Sequence, residues 1–405
     1  MLGASRLNTL ARYVAPSGGG GEAVYSLTNS EFNASLYTNN RLTYAGDDSS
    51  GQPVFYYAYD NGSGDFEGTL IKINNDDTVS DTIVTYHATD EVFDGQGTIG
   101  RDTDGNLVAV SNFTGRFSGT IRCKAFTSSI DLDNLTFGTV YSVLNWDLTT
   151  PNAGITSVYY TGTNGYYLMS YRNSGARVMP MVVWSGGIGA QGSTENQISA
   201  IGDGVWQNFS DAGAVISGQW CYAMGNGNAN QTVFAKQKGD GNYYGSSEVV
   251  YDNLSVGLAQ TAVYKFNDTT YLAMAAKDAA AQAVAYSVTW GTTPTSAPSA
   301  SAGSTMTFAD SADWNEGFAT AIDADTETAY VLYNDGIDWL TTSITHSGTA
   351  LTEGTPEVVG VTTTNWNPCT SNAACIADSA QGLLFVALID DSTTATPQLY
   401  VKPLE

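Results

Sequence analysis

An all-β fold built from one repeated unit follows from three observations on the sequence. Turn and strand formers dominate, with 43 Gly and 24 Tyr beside few Lys, which suits short strands joined by tight polar turns. An apolar, aromatic segment returns seven times, starting at residues 55, 107, 167, 220, 271, 330 and 384, so that successive starts lie 51 to 60 residues apart. Long amphipathic helical patterns are nearly absent. The length of 405 residues fits two or three ordinary domains or one large all-β domain, and this composition favours the second.

Residues 1–21 stand outside the repeat. Leu7, Leu10 and Val14 fall at helical spacing on one face, Arg6 and Arg12 lie elsewhere, and Ser5 is placed to cap the start. Pro16 and the glycine run 18–21 then break and loosen the chain. Such an arm is too short to fold alone. It is either a frayed tail or a helix on its own domain, or else an anchoring peptide that docks its apolar stripe into a neighbouring subunit.

After the arm, residues 22–28 (EAVYSLT) read as a strand that resembles residues 139–145 (TVYSVLN). Each recurring strand, such as 55–60 (FYYAYD) or 107–112 (LVAVSN), follows a Gly/Asp/Asn turn such as 101–106 (RDTDGN), the chemistry of hairpins. A short strand precedes each turn, a third follows, and Val-Tyr pairs near 84–86, 140–142 and 249–251 mark a fourth. The fourth strand is weakest in the third repeat (near 197–201) and the fifth (near 305–308), while 291–303 (GTTPTSAPSASAG) reads as a loop. Four strands in about 55 residues, repeated, make a β-propeller blade.

The last repeat ends at Glu405 without a fourth strand. The sequence therefore predicts a seven-bladed β-propeller over 22–405, in which 22–28 pairs with the last repeat and hides both edges. Six or eight blades remain alternatives.

The opening 1–11 (MLGASRLNTLA), its Gly-rich joint and the Gly/Thr/Asn/Tyr-rich β domain resemble virion structural proteins of marine tailed bacteriophages. The resemblance implies that the short N-terminal segment attaches a projecting domain to capsid or tail, with other virion proteins as partners. It carries no catalytic or binding motif.

The formal charge of −25 repels phosphate backbones and argues against a nucleic acid partner. No segment approaches the length of a membrane span. Arg6 and Arg12 interrupt the place of a signal-peptide core, so synthesis in the cytoplasm is expected, and the resemblance implies a host cytoplasm and residence in the virion. Cys123, Cys221, Cys369 and Cys375 and two histidines show no zinc spacing, and neither metal nor cofactor is expected. Cys369 and Cys375 are spaced for a small disulfide; Cys123 and Cys221 read as buried apolar residues.

Trp146, Trp206, Trp314 and Trp366 lie in connections that lead into a new repeat. On one rim of a propeller they form a candidate sugar-stacking surface with host surface glycan as ligand, or they wedge between blades. Asp102, Asp104, Asp323 and Asp325 qualify as the paired carboxylates of a polysaccharide depolymerase only as any carboxylates would in so acidic a chain. Their segments, 102–106 (DTDGN) and 323–327 (DADTE), fit hairpin turns or weak Ca²⁺ loops equally well. No catalytic residue set is recognised, so a structural virion protein is expected first, a glycan-binding host-recognition protein second and an enzyme last.

Overall fold

The computed structural model describes residues 23–27, 42–61, 63–88, 91–147, 157–160, 162–172, 176–190, 196–197, 214–216, 219–226, 231–238, 249–251, 261–265, 270–277, 282–289, 299–309, 318–323, 325–334, 338–348, 350–358, 366–379, 382–391 and 396–404, with side chains over fewer of them. The arm residues Arg6, Leu7, Leu10, Arg12 and Val14 lie outside this set.

Among the described residues, one strand, β1 (Ala23–Ser26), comes ahead of strands that group into seven antiparallel sheets. The first holds β2 (Thr43–Asp47), β3 (Pro53–Asp60), β4 (Asp65–Ile73) and β5 (Val79–Ala88). The second holds β6 (Glu91–Arg101), β7 (Leu107–Phe117), β8 (Thr120–Asp131) and β9 (Thr136–Asp147). In the third, β10 (Ser157–Tyr160), β11 (Tyr166–Arg172) and β12 (Ala176–Trp184) are followed by β13 (Gly187–Ala190) and β14 (Asn196–Gln197), which both pair with β12. The fourth runs β15 (Ala214–Ile216), β16 (Gln219–Asn226), β17 (Gln231–Lys238) and β18 (Val249–Tyr251). The fifth runs β19 (Thr261–Lys265), β20 (Thr270–Lys277), β21 (Gln282–Thr289) and β22 (Ser299–Ala309). The sixth contains β23 (Phe318–Asp323), β24 (Thr328–Asn334), β25 (Trp339–Ser347), β26 (Ala350–Glu353) and β27 (Glu357–Val358). The last contains β28 (Trp366–Ser379), β29 (Gly382–Asp391) and β30 (Thr396–Pro403), and β1 completes it.

Every recurring apolar segment of the sequence is the second strand of a sheet. Serial four-stranded meanders of this kind are the architecture of a β-propeller. The expected pairing of the N-terminal strand is present, with Ala23 opposite Val401 and Ser26 opposite Gln398.

Strand alternation explains how the sheets stack, because side chains two apart share a face. In the last sheet, Leu384, Val386, Leu388, Leu399 and Val401 enter a core shared with Phe55, Tyr57, Tyr59 and Ile71 of the first. The intervening Phe385, Ala387 and Tyr400 pack instead on Ala319, Leu332 and Trp339 of the sixth. The first sheet turns Val54, Tyr56 and Ala58 towards Ala109, Phe113 and Phe126 of the second. Val108, Val110 and Cys123 of the second then meet Tyr167, Met169 and Met181 of the third. Both faces of the first, second and last sheets are therefore buried, which accounts for aromatic runs such as 55–59 in which every residue is apolar.

Several local expectations change. Trp146 belongs to β9, opposite Cys123, and Trp366 opens β28, opposite Asp391, so neither lies in a connecting loop. Register shifts between Cys123 and Ala125, and between Pro368 and Ala373, let these strands run on past polar segments that read as connections. The segment 291–303 is not a loop throughout, because β22 begins at Ser299 and pairs with Thr289. Cys123 is buried as expected, whereas Cys375 is a free thiol and not half of a disulfide with Cys369.

Candidate functional site

The first hairpin turns of three sheets share one device. Asp48 Oδ1 accepts the amides of Ser50 and Gln52, each at 2.9 Å. Asp102 Oδ1 accepts those of Asp104 and Asn106, each at 2.9 Å, while Oδ2 accepts Asn106 Nδ2 at 3.0 Å. Asp323 Oδ1 accepts the Asp325 amide at 3.0 Å and Oδ2 the Thr326 hydroxyl. An aspartate whose oxygens bond the amides two to four residues ahead mimics a backbone turn. Asp102 and Asp323, each 2% exposed, are thus the buried pivots of their own hairpins, which is the turn reading of those segments.

The turn at Asp102 also locks the second sheet to the third. Gly165 N donates to Arg101 O at 2.8 Å, Thr103 N to Val183 O at 3.0 Å, and Val183 N to Gly165 O at 2.8 Å. The Tyr167 hydroxyl adds a bond to Arg101 O at 3.1 Å. Gly165, at φ +81°, permits the approach, since a Cβ there would lie 2.5 Å from the Thr103 methyl.

This junction shapes a cleft of about 200 Å³ between the two sheets, with Trp184 and Tyr141 at its edge. Met181 and Val183 point into the core, so Trp184, next in the alternation, faces outward at the end of β12 and is 45% exposed. Its indole lies across the backbone of β13. A Cβ at Gly187 would sit 2.5 Å from the indole and displace it, and one at Gly189, 3.1 Å away, would crowd it, so the two glycines give the ring its place. Gly186, at φ +84°, closes the two-residue turn between these strands in the left-handed region that glycine adopts freely. Tyr141, 39% exposed, brings its hydroxyl beside that turn.

Thr127, Ser129, Thr139 and Ser185 line the cleft, with Asp102 and Asn106 of the turn beside them. The result is an aromatic face in solvent next to short hydroxyl side chains, a combination that stacks on the apolar C–H face of a sugar and bonds its hydroxyls.

A larger cleft of about 500 Å³ lies between the sixth and last sheets. Its walls carry Tyr330, Thr341, Ser343 and Thr355, with the ion pair Lys402–Glu357 at the mouth. Lys402 Nζ also donates to Thr341 Oγ1 at 3.2 Å. Burial, reinforced by Asp323 and by the charge Cys375 gains only at high pH, pushes the Tyr330 phenol up to about 12, and burial beside Asp323 pushes the Cys375 thiol up to about 12. Both stay protonated at neutral pH, so Tyr330 offers a hydroxyl donor to the cleft.

Of the tryptophans singled out in the sequence, Trp146 and Trp366 sit in separate sheets with undescribed side chains, and Trp206 and Trp314 lie outside the described residues. The exposed Trp184 was missed because it ends an apolar strand. The signal that marks it is the alternate pair Gly187 and Gly189 after a Ser-Gly turn, which clears space for a ring.

No protein-family model matches the chain and no curated protein does. Among solved structures, the chain is similar to the Hadza microbial sialidase Hz136, at 9% identity over 94% of this chain and 68% of that one, with a TM-score of 0.48. It is also similar to the Nup133 β-propeller domain of Vanderwaltozyma polyspora, at 8% identity over 96% and 99% of the two chains and a TM-score of 0.46. The WD40 domain of SCAP from fission yeast aligns at 7% identity over 95% and 98%, with a TM-score of 0.43.

Proposed function

We propose that this chain is a carbohydrate-recognising β-propeller of seven blades, carried on a virus particle by its N-terminal residues. The observation that carries the recognition reading is the Trp184 ring, held flat and half exposed over Gly187 and Gly189 beside a cleft lined with hydroxyls. Such a face needs no charge and suits an uncharged sugar ring. Ring closure is supported by the last sheet, whose two faces pack on the sixth and the first sheets and whose outer strand is β1. A binding role rather than hydrolysis is supported by Asp102 and Asp323, whose carboxylates are committed to their own turns.

Attachment rests on the apolar stripe Leu7, Leu10 and Val14 and the glycine hinge behind it. In a closed ring, β1 is the outer strand of the last blade, so the chain enters the domain at its outer edge, where a neighbouring subunit can meet it.

The experiment is binding of the purified chain to an immobilised panel of uncharged and acidic glycans, repeated with Trp184→Ala and Tyr141→Ala. Retained folding with at least about tenfold weaker binding is expected, in line with the cost of removing an aromatic anchor. Undiminished binding by both variants refutes the reading. Deleting residues 1–20 should leave a folded domain that no longer enters particles, and normal incorporation would sink the attachment reading.

A further inference from the structure

The cleft between the sixth and last sheets has a different chemistry from the Trp184 face, and its construction is specific. The outer edge of the sixth sheet is interrupted: β26 pairs with Ile344 to Ser347, β27 pairs with Leu340 and Thr341, and Gly354, Thr355 and Pro356 bridge the gap. The bridge is fastened to β25. Gly354 N donates to Ser343 O at 2.8 Å, and Thr342 Oγ1 donates to Gly354 O at 3.3 Å. A Cβ at Gly354 would lie 2.3 Å from Ser343 Oγ, so a larger residue there would turn that hydroxyl away from the bridge. The bridge therefore forms a fixed wall.

Opposite it stands Lys402, the one Lys or Arg anywhere in 278–405. Register places it across from the buried Phe385, and its ammonium reaches over to Thr341 and to Glu357 on the neighbouring sheet. The Lys402 side chain is 15% exposed and that of Glu357 is 62% exposed. The lysine is thus held at the wall while the glutamate stands in solvent.

We infer that this cleft is a second saccharide site, taking an uncharged, polyhydroxylated ligand. Its volume of about 500 Å³ falls within the range of sites that enclose a small ligand, about 300 to 1,000 Å³. Hydroxyls that already donate inside the wall, such as those of Thr342 and Thr345, keep lone pairs for a ligand's hydroxyl protons. The ion pair supplies the charge-assisted contacts, with Lys402 donating to one sugar hydroxyl and Glu357 accepting from another. Because the two charges cancel, the pair has no net attraction for an anionic sugar, and the overall charge of −25 disfavours one.

The inference shares the saccharide chemistry proposed for Trp184 but uses other residues, so the two are separable. The test is titration calorimetry of the full chain with uncharged oligosaccharides (maltotriose, cellotriose, N-acetylchitotriose) and with acidic trigalacturonate. It is run on wild type, Trp184→Ala, and Trp184→Ala combined with Lys402→Met or Glu357→Gln. Near-UV circular dichroism of each variant provides the check on folding.

Saturable binding of an uncharged oligosaccharide that survives Trp184→Ala, weakens at least about tenfold with either added substitution, and changes little with salt supports the second site. Loss of all binding with Trp184→Ala alone overturns it and leaves the Trp184 reading intact. Residual binding that ignores both added substitutions also overturns it, as does preference for trigalacturonate with steep salt dependence. If Lys402→Met fails to fold, the Glu357→Gln arm decides alone, since that side chain is mostly exposed.

Discussion

Replacing Leu27 by alanine probes whether the N-terminal strand is part of the fold. Leu27 follows directly on β1, is 3% exposed, and lies in a core with Leu42, Phe55, Leu399 and Val401. Burying a leucine contributes about 1.5 to 3 kcal/mol, and truncating one in a core that relaxes only partly costs about 2 to 5 kcal/mol. Its neighbours come from two sheets far apart in sequence, and β29 and β30 are held on both sides, so collapse around the gap is limited. A loss of about 3 kcal/mol is expected.

The assay is equilibrium urea unfolding followed by near-UV circular dichroism, in which a lower midpoint at unchanged slope reports stability alone. Val358→Ala is the control, a 50% exposed position where a change within about 0.5 kcal/mol is expected. If Leu27→Ala falls in that same band, residues 23–27 are not docked on the last sheet and the closure argument fails.

Other perturbations test the packing and the electrostatics. Gly97→Ala should cost about 1 to 3 kcal/mol by overpacking, since its Cβ would lie 2.5 Å from Tyr56 Cε1 and 2.8 Å from the Ala58 Cβ; a neutral result in the same urea assay would refute the tight approach of the first two sheets. Burial raises the phenols of Tyr56, Tyr86 and Tyr167 far above the ordinary value of 10. Above pH 10 the unfolded chain therefore binds fewer protons than the folded one, and stability falls by about 1.4 kcal/mol per pH unit for each such tyrosine. Exposed phenols ionise first, and a second rise in phenolate absorbance should coincide with loss of the fold; complete ionisation of all 24 tyrosines before the fold is lost would contradict the burial. Cys375, pushed up to about 12 from 9, should be alkylated at pH 8 about a thousandfold more slowly than a free cysteine, with site-resolved mass spectrometry as the readout; rapid labelling would refute its placement.

The second strand of each sheet was legible because it is a short apolar run bounded by turn chemistry, as at residues 107–112 after the Asp102 turn. Its length was less so. β7 runs on to Phe117 through Thr114 and Gly115, since pairing with β6 and β8 fixes a strand's extent where composition does not. The last strand of the third sheet was only weakly legible, placed near 197–201, for a related reason: β13 and β14 share one partner in two pieces, and neither is long enough to show alternation. The same splitting in the sixth sheet produces the larger cleft. Lys402 and Glu357 are 45 residues apart on separate sheets, and nothing in either local sequence pairs them. Trp146 and Trp366 misled because their Asn and Asp neighbours resemble loops, while irregularities in β9 and β28 carry the strands past them.

Sugar recognition at the outward face of β12 is tested most directly by the indole N–H resonances of the protein labelled with ¹⁵N-tryptophan. The chain has eight tryptophans, and Trp184→Phe assigns the one in question by its disappearance. On titration with an uncharged oligosaccharide selected from the glycan panel, the Trp184 signal should shift and saturate at the ligand concentration that saturates binding. Saturated binding with that signal unmoved would contradict recognition at this face.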